Sequence, residues 1–378
     1  RMGMIVELNV FEDIENSALT GSMVMIDSSN IISNAPLQGN ERLIFKLSTP
    51  VSEYDERIAI DASEETGYPF HIYAITKRVI QTETLSSYTI KFCSRELLRN
   101  TRTRVSRAYE GEVHQAAIKI LRDKNGLDSK KRLRYEPTKN KEKLVMPNMR
   151  PFEALDLVSK KALSKNSEAS GYYFYETTKG FNFRSYESML TTQGKYGRRP
   201  KLTLGYQPKA LPVQDRKDYN MHNVDSYEFL QHFDTLSQQS MGTYSSRVIT
   251  YSIYDKNYNI SDFSYHDRFF KHFHADQMSD SSSRNYHIGD SPVDFDPRYG
   301  GNVPGRIGDK TVSDYHDSKV ILYPSRRFLH DDEPDVFTKK EGINEAIKLS
   351  QANQVSNSTI LKVVMPGHSY VEAGDIVE

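Results

Sequence analysis

The segment LTGSMVMIDSSNIISNAPLQGNERLIFKLSTP, residues 19–50, is the clearest structural signal in this 378-residue chain. At its start the apolar positions alternate, as at Met23 and Met25, which is the pattern of a half-buried β-strand. The Asp-Ser-Ser-Asn sequence at 27–30 favours a turn, and ERLIFKLSTP (41–50) predicts a second strand. The segment therefore predicts short strands joined by polar turns.

Strand-like sequence continues on both sides of this segment. MIVELNVF (4–11) precedes it, and GYPFHIYAITKRVIQ (67–81) and SSYTIKFCSRE (86–96) follow it. Five or six strands within residues 1–100 predict a small β-barrel or sandwich. Cys93 lies in the last alternating run, so we expect it to be a packed strand residue rather than a nucleophile.

The middle of the chain mixes helices and strands. A helix is predicted at about 110–123, and a second one begins at Pro151, because proline favours the first turn of a helix. GYYFYETTKGFNFRSYESML (171–190) predicts a hairpin that turns at Thr178-Lys179-Gly180. This part therefore predicts an α+β unit.

The last third alternates between periodic and irregular sequence. Residues 224–242 have apolar side chains three apart and predict a helix, which precedes a strand at 247–255. A further helix is predicted at 343–354 and a strand at 358–367. Residues 256–342 are polar with little periodicity, and we expect long loops and short strands there.

Composition excludes several classes of protein. Lys plus Arg and Asp plus Glu are both 50, so a basic excess typical of a nucleic-acid-binding protein is missing. The single cysteine excludes an intrachain disulfide, and no apolar run approaches the length of a membrane span. The chain has 24 Tyr and 17 Phe, which suits strands and large subunit contacts.

Two clusters could carry chemistry. HDRFFKHFH contains His266, His272 and His274, of which the last two could share one face of a strand and bind zinc. The alternative is a partly exposed aromatic segment, and we predict no metal site because a third ligand at a recognisable spacing is missing. Residues 95–143 hold 15 basic and 7 acidic residues. Either nucleic acid or an acidic neighbouring protein could bind there, and we favour a solvated or protein-contacting surface.

Three segments carry motifs in a fixed order. Residues 19–50 contain a D-x-x-N turn and a P-x-x-G-N-E sequence between strands. In residues 141–163 a P-N-x-x-P-F-E-A helix precedes the aromatic hairpin, and residues 343–378 combine a helix, a strand, a P-G-H turn and a G-D strand. In this order they resemble the central baseplate hub protein of contractile-tailed bacteriophages, which is similar in organisation to the type VI secretion spike.

The resemblance implies a mainly β fold with two similar small β-barrel tube domains and an inserted α+β outer domain. Residues 1–100 would form the first tube domain. The outer domain would comprise 101–221 and 258–342, and the second tube domain 222–257 and 343–378. We expect the second barrel to be incomplete, because the sequence ends in mid-strand. Strand 247–255 should lie beside strand 358–367 in one sheet.

The resemblance also implies a function. Three copies would form a pseudo-sixfold ring that joins the hexameric tail tube to a trimeric central spike, in contact with other baseplate proteins. The location would be the tail baseplate of a virion assembled in the host bacterial cytoplasm. DNA would pass through the channel without sequence-specific binding, and we expect no catalytic residues, no cofactor and no membrane insertion.

The same resemblance assigns turns to five residues. Pro36 and Gly39 would set a turn in the first tube domain, and Pro366, Gly367 and Gly374 in the second. Each residue alone also fits an ordinary hairpin turn. Two other classes stay open: a receptor- or glycan-binding tail protein, and a metal-dependent hydrolase that uses the three histidines.

Overall fold

A computed structural model describes most of the chain. The described residues are 4–28, 31–34, 37–39, 41–47, 60–64, 68–82, 85–167, 169–191, 202–206, 223–232, 234–253, 256–268, 272, 306–307, 310–311, 316–324, 334–357, 359–367 and 369–377. None of the helices in these ranges is both long enough and apolar enough to cross a membrane.

The first hundred residues form a curled antiparallel sheet. Its five strands lie in the order β1-β2-β7-β6-β3. Their bounds are β1 (Met4–Phe11), β2 (Thr20–Asp27), β3 (Arg42–Leu43), β6 (Phe70–Thr82) and β7 (Leu85–Cys93). A short helix α1 (Ile31–Asn34) follows β2, and β4 (Lys46–Leu47) pairs with β5 (Ile60–Asp61). The predicted β unit is confirmed, although the described residues of segment 41–50, which are 41–47, form two strands of two residues each.

Aromatic rings fill the inside of this sheet. The rings of Phe70 and Phe92 meet edge to face with their centroids 5.1 Å apart. Gly21 lies against the same ring, and a Cβ there would stand 2.2 Å from an atom of Phe92. Cys93 is buried, and burial raises the pKa of its thiol to about 11. The thiol therefore stays protonated, as expected for a packed strand residue.

An α+β unit follows. Its elements are α2 (Arg95–Arg102), β8 (Val105–Glu112), α3 (Val113–Arg122), β9 (Leu133–Tyr135), β10 (Lys141–Met149), α4 (Pro151–Ser159), β11 (Tyr172–Thr177), β12 (Gly180–Ser185) and α5 (Tyr186–Thr191). The helices at α3 and α4 and the β11–β12 hairpin confirm the predictions. Pro151 opens α4, where the Glu153 side chain accepts a hydrogen bond from Arg150 N (3.0 Å).

The predicted helix at 224–242 is wrong for its first half. The structure has short strands β13 (Gly205–Tyr206) and β14 (Asn223–Val224), then strand β15 (Ser226–Gln231), and only then helix α6 (Thr235–Met241). Asp234 caps α6 by accepting a hydrogen bond from Ser237 N (2.9 Å), and Gly242 ends it with φ +84°. The apolar residues at the start of 224–242 match a helical spacing but lie in strand β15. The Asp234 cap places the start of the helix at Thr235.

The C-terminal part contains a second sheet and a long helix. Its elements are β16 (Ser245–Ser252), β17 (Asn257–Ser264), α7 (Tyr265–Arg268), β18 (Arg306–Ile307), β19 (Lys310–Thr311), a 3-10 turn (His316–Ser318), β20 (Val320–Pro324), α8 (Pro334–Asn357) and β21 (Ile360–Val364). Helix α8 extends beyond the predicted 343–354 at both ends. Its Ala346 and Ile347 pack on Val248 and Phe263.

The predicted pairing of strand 247–255 with strand 358–367 is wrong. Strand β16 pairs with β17 in a hairpin and with β20 in parallel, whereas β21 pairs antiparallel with β15. Both neighbours of β16 come from the stretch that the sequence marks as irregular. Only four residues connect β16 to β17, so closing this hairpin costs little chain entropy compared with pairing a distant strand. Strands β16 and β21, which were expected to pair, therefore lie in two different sheets.

Candidate assembly surfaces and the joint between them

The β11–β12 hairpin holds both ends of the chain. The carboxylate of Glu12, just after β1, accepts hydrogen bonds from Thr178 N (2.6 Å) and from Ala373 N (2.9 Å). Lys179 Nζ forms an ion pair with Glu372 Oε1 (2.9 Å) and donates to the Tyr370 carbonyl (3.1 Å). One hairpin turn thus fastens the N-terminal sheet and the C-terminal segment to the α+β unit.

A buried group of three charged residues lies behind this turn. Lys131 Nζ is 2.8 Å from Glu96 Oε2 and 2.5 Å from Glu176 Oε1. The other carboxylate oxygens accept hydrogen bonds from Ser129 Oγ (2.6 Å) and Leu19 N (2.8 Å). Glu96 of α2 and Glu176 of β11 therefore meet at the ammonium of Lys131, which lies in the loop after α3, and Leu19, just before β2, binds to Glu176. We call Glu96, Lys131 and Glu176 the charged triad.

Burial and ion pairing shift the pKa values of the three triad residues in different directions. Burial raises the pKa of Glu176, and the ion pair with Lys131 offsets this only in part. Burial also acts to raise the pKa of Glu96, but Lys131 and Ser129 outweigh it and lower that pKa. For Lys131, burial acts to lower the pKa, and the two carboxylates outweigh it and raise it. The ammonium is thus held in its charged form at neutral pH.

The predicted turn residues lie in two separate loops. Gly39 has φ +89°, and the Glu41 carboxylate accepts hydrogen bonds from Gln38 N (2.7 Å) and Gly39 N (2.8 Å). Gly374 has φ +86°, and a Cβ there would stand 2.3 Å from the hydroxyl oxygen of Tyr175. These two conformations favour glycine.

At the other three predicted turn residues, the structure gives less reason for the residue type. Pro366 lies in a bend after β21, and a Cβ added at Gly367 would meet open space. Pro36 lies outside the described residues. The structure therefore gives a conformational reason for glycine at Gly39 and Gly374 only.

The three candidate histidines can be placed only in part. His272 Nδ1 is 2.5 Å from Glu187 Oε1, and the same oxygen accepts a hydrogen bond from Gln351 Nε2 (2.8 Å). His266 lies in α7, its side chain is outside the described part, and so is all of His274. Among the described residues, no group of three His, Cys, Asp or Glu side chains could hold a metal ion.

Apolar side chains are exposed on the C-terminal strands. The two-stranded ribbon of β15 and β21 exposes both its faces, with Leu230 58% and Phe229 47% exposed. On the sheet of β16, β17 and β20, one face packs on α8 and the other exposes Leu322 (76%) and Tyr258 (66%). Large exposed apolar patches often are interaction sites, so these strands are candidate contact surfaces.

The first sheet exposes apolar residues in the same way. Its edge strand β1 exposes Ile5, Val6 and Phe11, and the far end of β6 exposes Val79 and Ile80. Sequence reasoning did not find these surfaces, because alternation of apolar residues does not reveal which of them lack a partner within the chain. The candidate site is thus a set of exposed strand surfaces in the N-terminal and C-terminal parts of the chain, both of which contact the β11–β12 hairpin.

Neither a protein-family model nor a curated protein sequence matches the chain. Among solved structures it is similar to the tail protein of Neisseria meningitidis MC58, with a TM-score of 0.43 and 9% identity over 96% of this chain and 76% of that one. It is also similar to the 43 kDa tail protein of prophage MuSo2 from Shewanella oneidensis, with a TM-score of 0.44 and 9% identity over 97% and 82%.

A third similar structure comes from a secretion system. It is the E. coli c3393 protein, a component of the type VI secretion system described as structurally similar to the T4 bacteriophage tail proteins gp27 and gp5. The TM-score is 0.32 and the identity 14%, over 61% of this chain and 56% of that one.

Proposed function

We propose that this chain is a non-enzymatic structural subunit of a phage-type tail, the baseplate hub. Three copies form a pseudo-sixfold ring that joins the hexameric tail tube to a trimeric central spike and contacts other baseplate proteins. The observation that carries the proposal is the presence of two separate β units in one chain, each with exposed apolar strands. Each is tied to the β11–β12 hairpin, the first through Glu12 after β1 and the second through Glu372 after β21. Two β units in each of three copies would give six β surfaces around the ring, which is how a trimer can match a hexamer.

The exposed ribbon supports assembly because it is incomplete by itself. A two-stranded ribbon is only marginally stable in water without further packing. The cross-strand pair Phe229 and Leu361 is exposed on the ribbon, and aromatic side chains are typical of the buried centre of subunit interfaces. A neighbouring subunit that covers this pair would supply the missing packing.

We propose further that the second tube unit is discontinuous in sequence. Its support is the pairing of Ser226 with Val364 across the intervening stretch. Strands β17 and β20 pair with β16 and pack on α8, so parts of 258–342 join this unit rather than only the outer domain. Gly39 and Gly374 would be turn residues of the two tube units.

The proposal is tested on assembled particles. Tail particles are imaged by electron microscopy, and three copies of this chain are expected around a central channel at the baseplate, through which DNA passes without sequence-specific contacts. Isolated protein can stay monomeric, since such interfaces often form only with the spike or tube. Finding six copies, or one, at that position refutes the proposal.

Paired variants test the ribbon directly. F229S/L361S is expected to keep the far-ultraviolet circular dichroism of the wild type and to be absent from assembled particles. The control is E228Q/K362Q, which removes an exposed polar pair (3.7 Å) from the next register of the same ribbon and should assemble normally. Normal assembly of F229S/L361S would exclude the ribbon as an interface.

One observation favours a second function, that of a receptor- or glycan-binding tail protein. Tyr251 and Tyr258 lie opposite each other on β16 and β17, and both are exposed, so they form a small aromatic platform. Sugar rings pack on such platforms. Binding of the isolated protein to a glycan array, lost in Y251S/Y258S, would establish this alternative; the hub proposal expects no such binding.

A further inference from the structure

An open cleft lies between the first sheet and helix α2. Its volume is about 710 Å³. The residues that line it are Gly39, Arg42, Glu64, Pro69, His71, Arg95, Leu98, Arg99 and Arg102. Three of the arginines come from α2 at spacings of four and three residues, which places them on one face of the helix. Arg42 comes from β3 on the other side.

Positive charge is in excess in this cleft. Four arginines and one carboxylate, that of Glu64, line the cleft, and the carboxylates of Asp128 and Glu41 lie next to it, the latter accepting a hydrogen bond from Gly39 N (2.8 Å). Glu64 lies 3.2 Å from Arg42, and Asp128 lies 3.4 Å from both Arg95 and Arg99. A guanidinium has five N–H donors. An arginine that is paired at 3.4 Å, or that shares its carboxylate with a second arginine, therefore keeps donors for another partner. The cleft is therefore suited to an anion.

Arg99 of α2 is also held in place. Arg99 Nε donates to the Gly126 carbonyl (2.8 Å), and its Nη2 donates to the Lys124 carbonyl (2.9 Å). Carbonyl oxygens orient a guanidinium without cancelling its full charge. A preformed set of donors binds an anion at a lower entropic cost than mobile side chains do.

His71 adds a dependence on pH. Burial lowers its pKa, and the positive charges of Arg42, Arg95 and Lys131 lower it further, against a smaller opposite effect of Glu96. An anion bound in the cleft would raise this pKa, so binding takes up a proton. Affinity should therefore increase as the pH falls toward the pKa of His71 in the free protein.

We propose that this cleft binds an acidic peptide segment of a neighbouring protein. Planar guanidinium groups fit carboxylates in bidentate geometry, and Leu98 and Pro69 offer apolar contact to the stems of the bound side chains. None of the residues that line the cleft, in the described part of the chain, is a Trp, Tyr or Phe, so it lacks the stacking surfaces that single-stranded nucleic acid uses. The balanced charge of the whole chain also argues against nucleic acid.

The test measures binding of a fluorescent octa-aspartate peptide to the full chain. Aspartate is the probe because its carboxylates stay ionised at pH 6. The double variant R95Q/R102Q is expected to weaken binding about tenfold, since each charge-assisted contact in a half-open cleft contributes roughly threefold in affinity. The control R107Q removes an exposed arginine outside the cleft, with a side chain 62% exposed, and should change affinity less than about twofold.

A second variant keeps the test decisive if the double variant folds poorly. E64Q removes a carboxylate from the cleft wall and should strengthen peptide binding about twofold. Wild-type affinity in both R95Q/R102Q and E64Q overturns the proposal. Tighter binding of an eight-nucleotide oligo-dT than of the peptide also overturns it in favour of nucleic acid, and full competition by equimolar inorganic phosphate overturns it in favour of a small-anion site.

Discussion

Replacing Lys131 by methionine tests the charged triad most directly. Methionine keeps the length of the side chain but leaves Glu96 and Glu176 facing each other in the joint. The side chains of Lys131, Glu96 and Glu176 are 11%, 2% and 0% exposed, so water screens the loss very little. Removing one partner of a buried ion pair typically costs about 3–5 kcal/mol of unfolding free energy. We expect a loss in this range at pH 7.

The loss should depend on pH in a defined direction. Without the ammonium, burial and mutual repulsion would raise the pKa of both carboxyl groups in the folded state. A carboxyl with a raised folded pKa destabilises the fold as the pH rises above its unfolded value. The K131M protein should therefore lose less stability, relative to the wild type, at pH 5 than at pH 7.

Urea unfolding followed by far-ultraviolet circular dichroism measures both effects. The control is K130M, because Lys130 is adjacent in sequence and exposed, and its change should stay below about 0.5 kcal/mol. Restoring neutrality with E96Q/K131M/E176Q should recover much of the loss. Equal stability of K131M and K130M, or a K131M loss that is the same at both pH values, would refute this account of the joint.

Three further outcomes follow from the structure. G374A should destabilise the protein by about 2 kcal/mol or more, because it adds a methyl group at positive φ and against the Tyr175 hydroxyl. The control G367A, where a Cβ meets open space, should be near neutral. Thermal unfolding measures both, and equal effects would contradict the difference between the two positions. H272A/H274A should assemble normally and lose no bound zinc by elemental analysis, and stoichiometric zinc lost in that variant would favour the hydrolase. E12Q weakens two hydrogen bonds at the hairpin and should speed proteolysis next to residue 373, an effect absent if the two amides had other acceptors.

Local signals in the sequence predicted much of the fold. Strands such as β2 and β7 alternate apolar residues, and α4 begins at a proline, so short-range rules suffice there. Strand β15 was missed because Tyr227 and Leu230 also match a helical spacing. Its true partner is β21, more than a hundred residues away, and no local pattern encodes such a pairing.

The joint was beyond sequence reasoning for a related reason. Glu96, Lys131 and Glu176 come from three distant elements, and each looks like an ordinary surface charge in its own segment. One signal was present: Glu176 is the lone acidic residue in the aromatic strand YYFYET and is fully buried there. A carboxylate at a core position of a strand requires a partner, although the sequence does not say which.

The two hydrogen-bond donors to the Glu12 carboxylate are synthesised at different times. It reaches the hairpin at Thr178 early, but its second partner, Ala373, is 361 residues further along the chain. At 5–20 residues per second a ribosome needs roughly 20–70 s to make that stretch. Strand β15 ends at Gln231 and β21 begins at Ile360. The apolar side chains of β15 therefore lack their partner strand for roughly 6–26 s of that interval, at the same rate of synthesis. The second contact of Glu12 thus forms only after β21, the last strand in the described residues, has been synthesised.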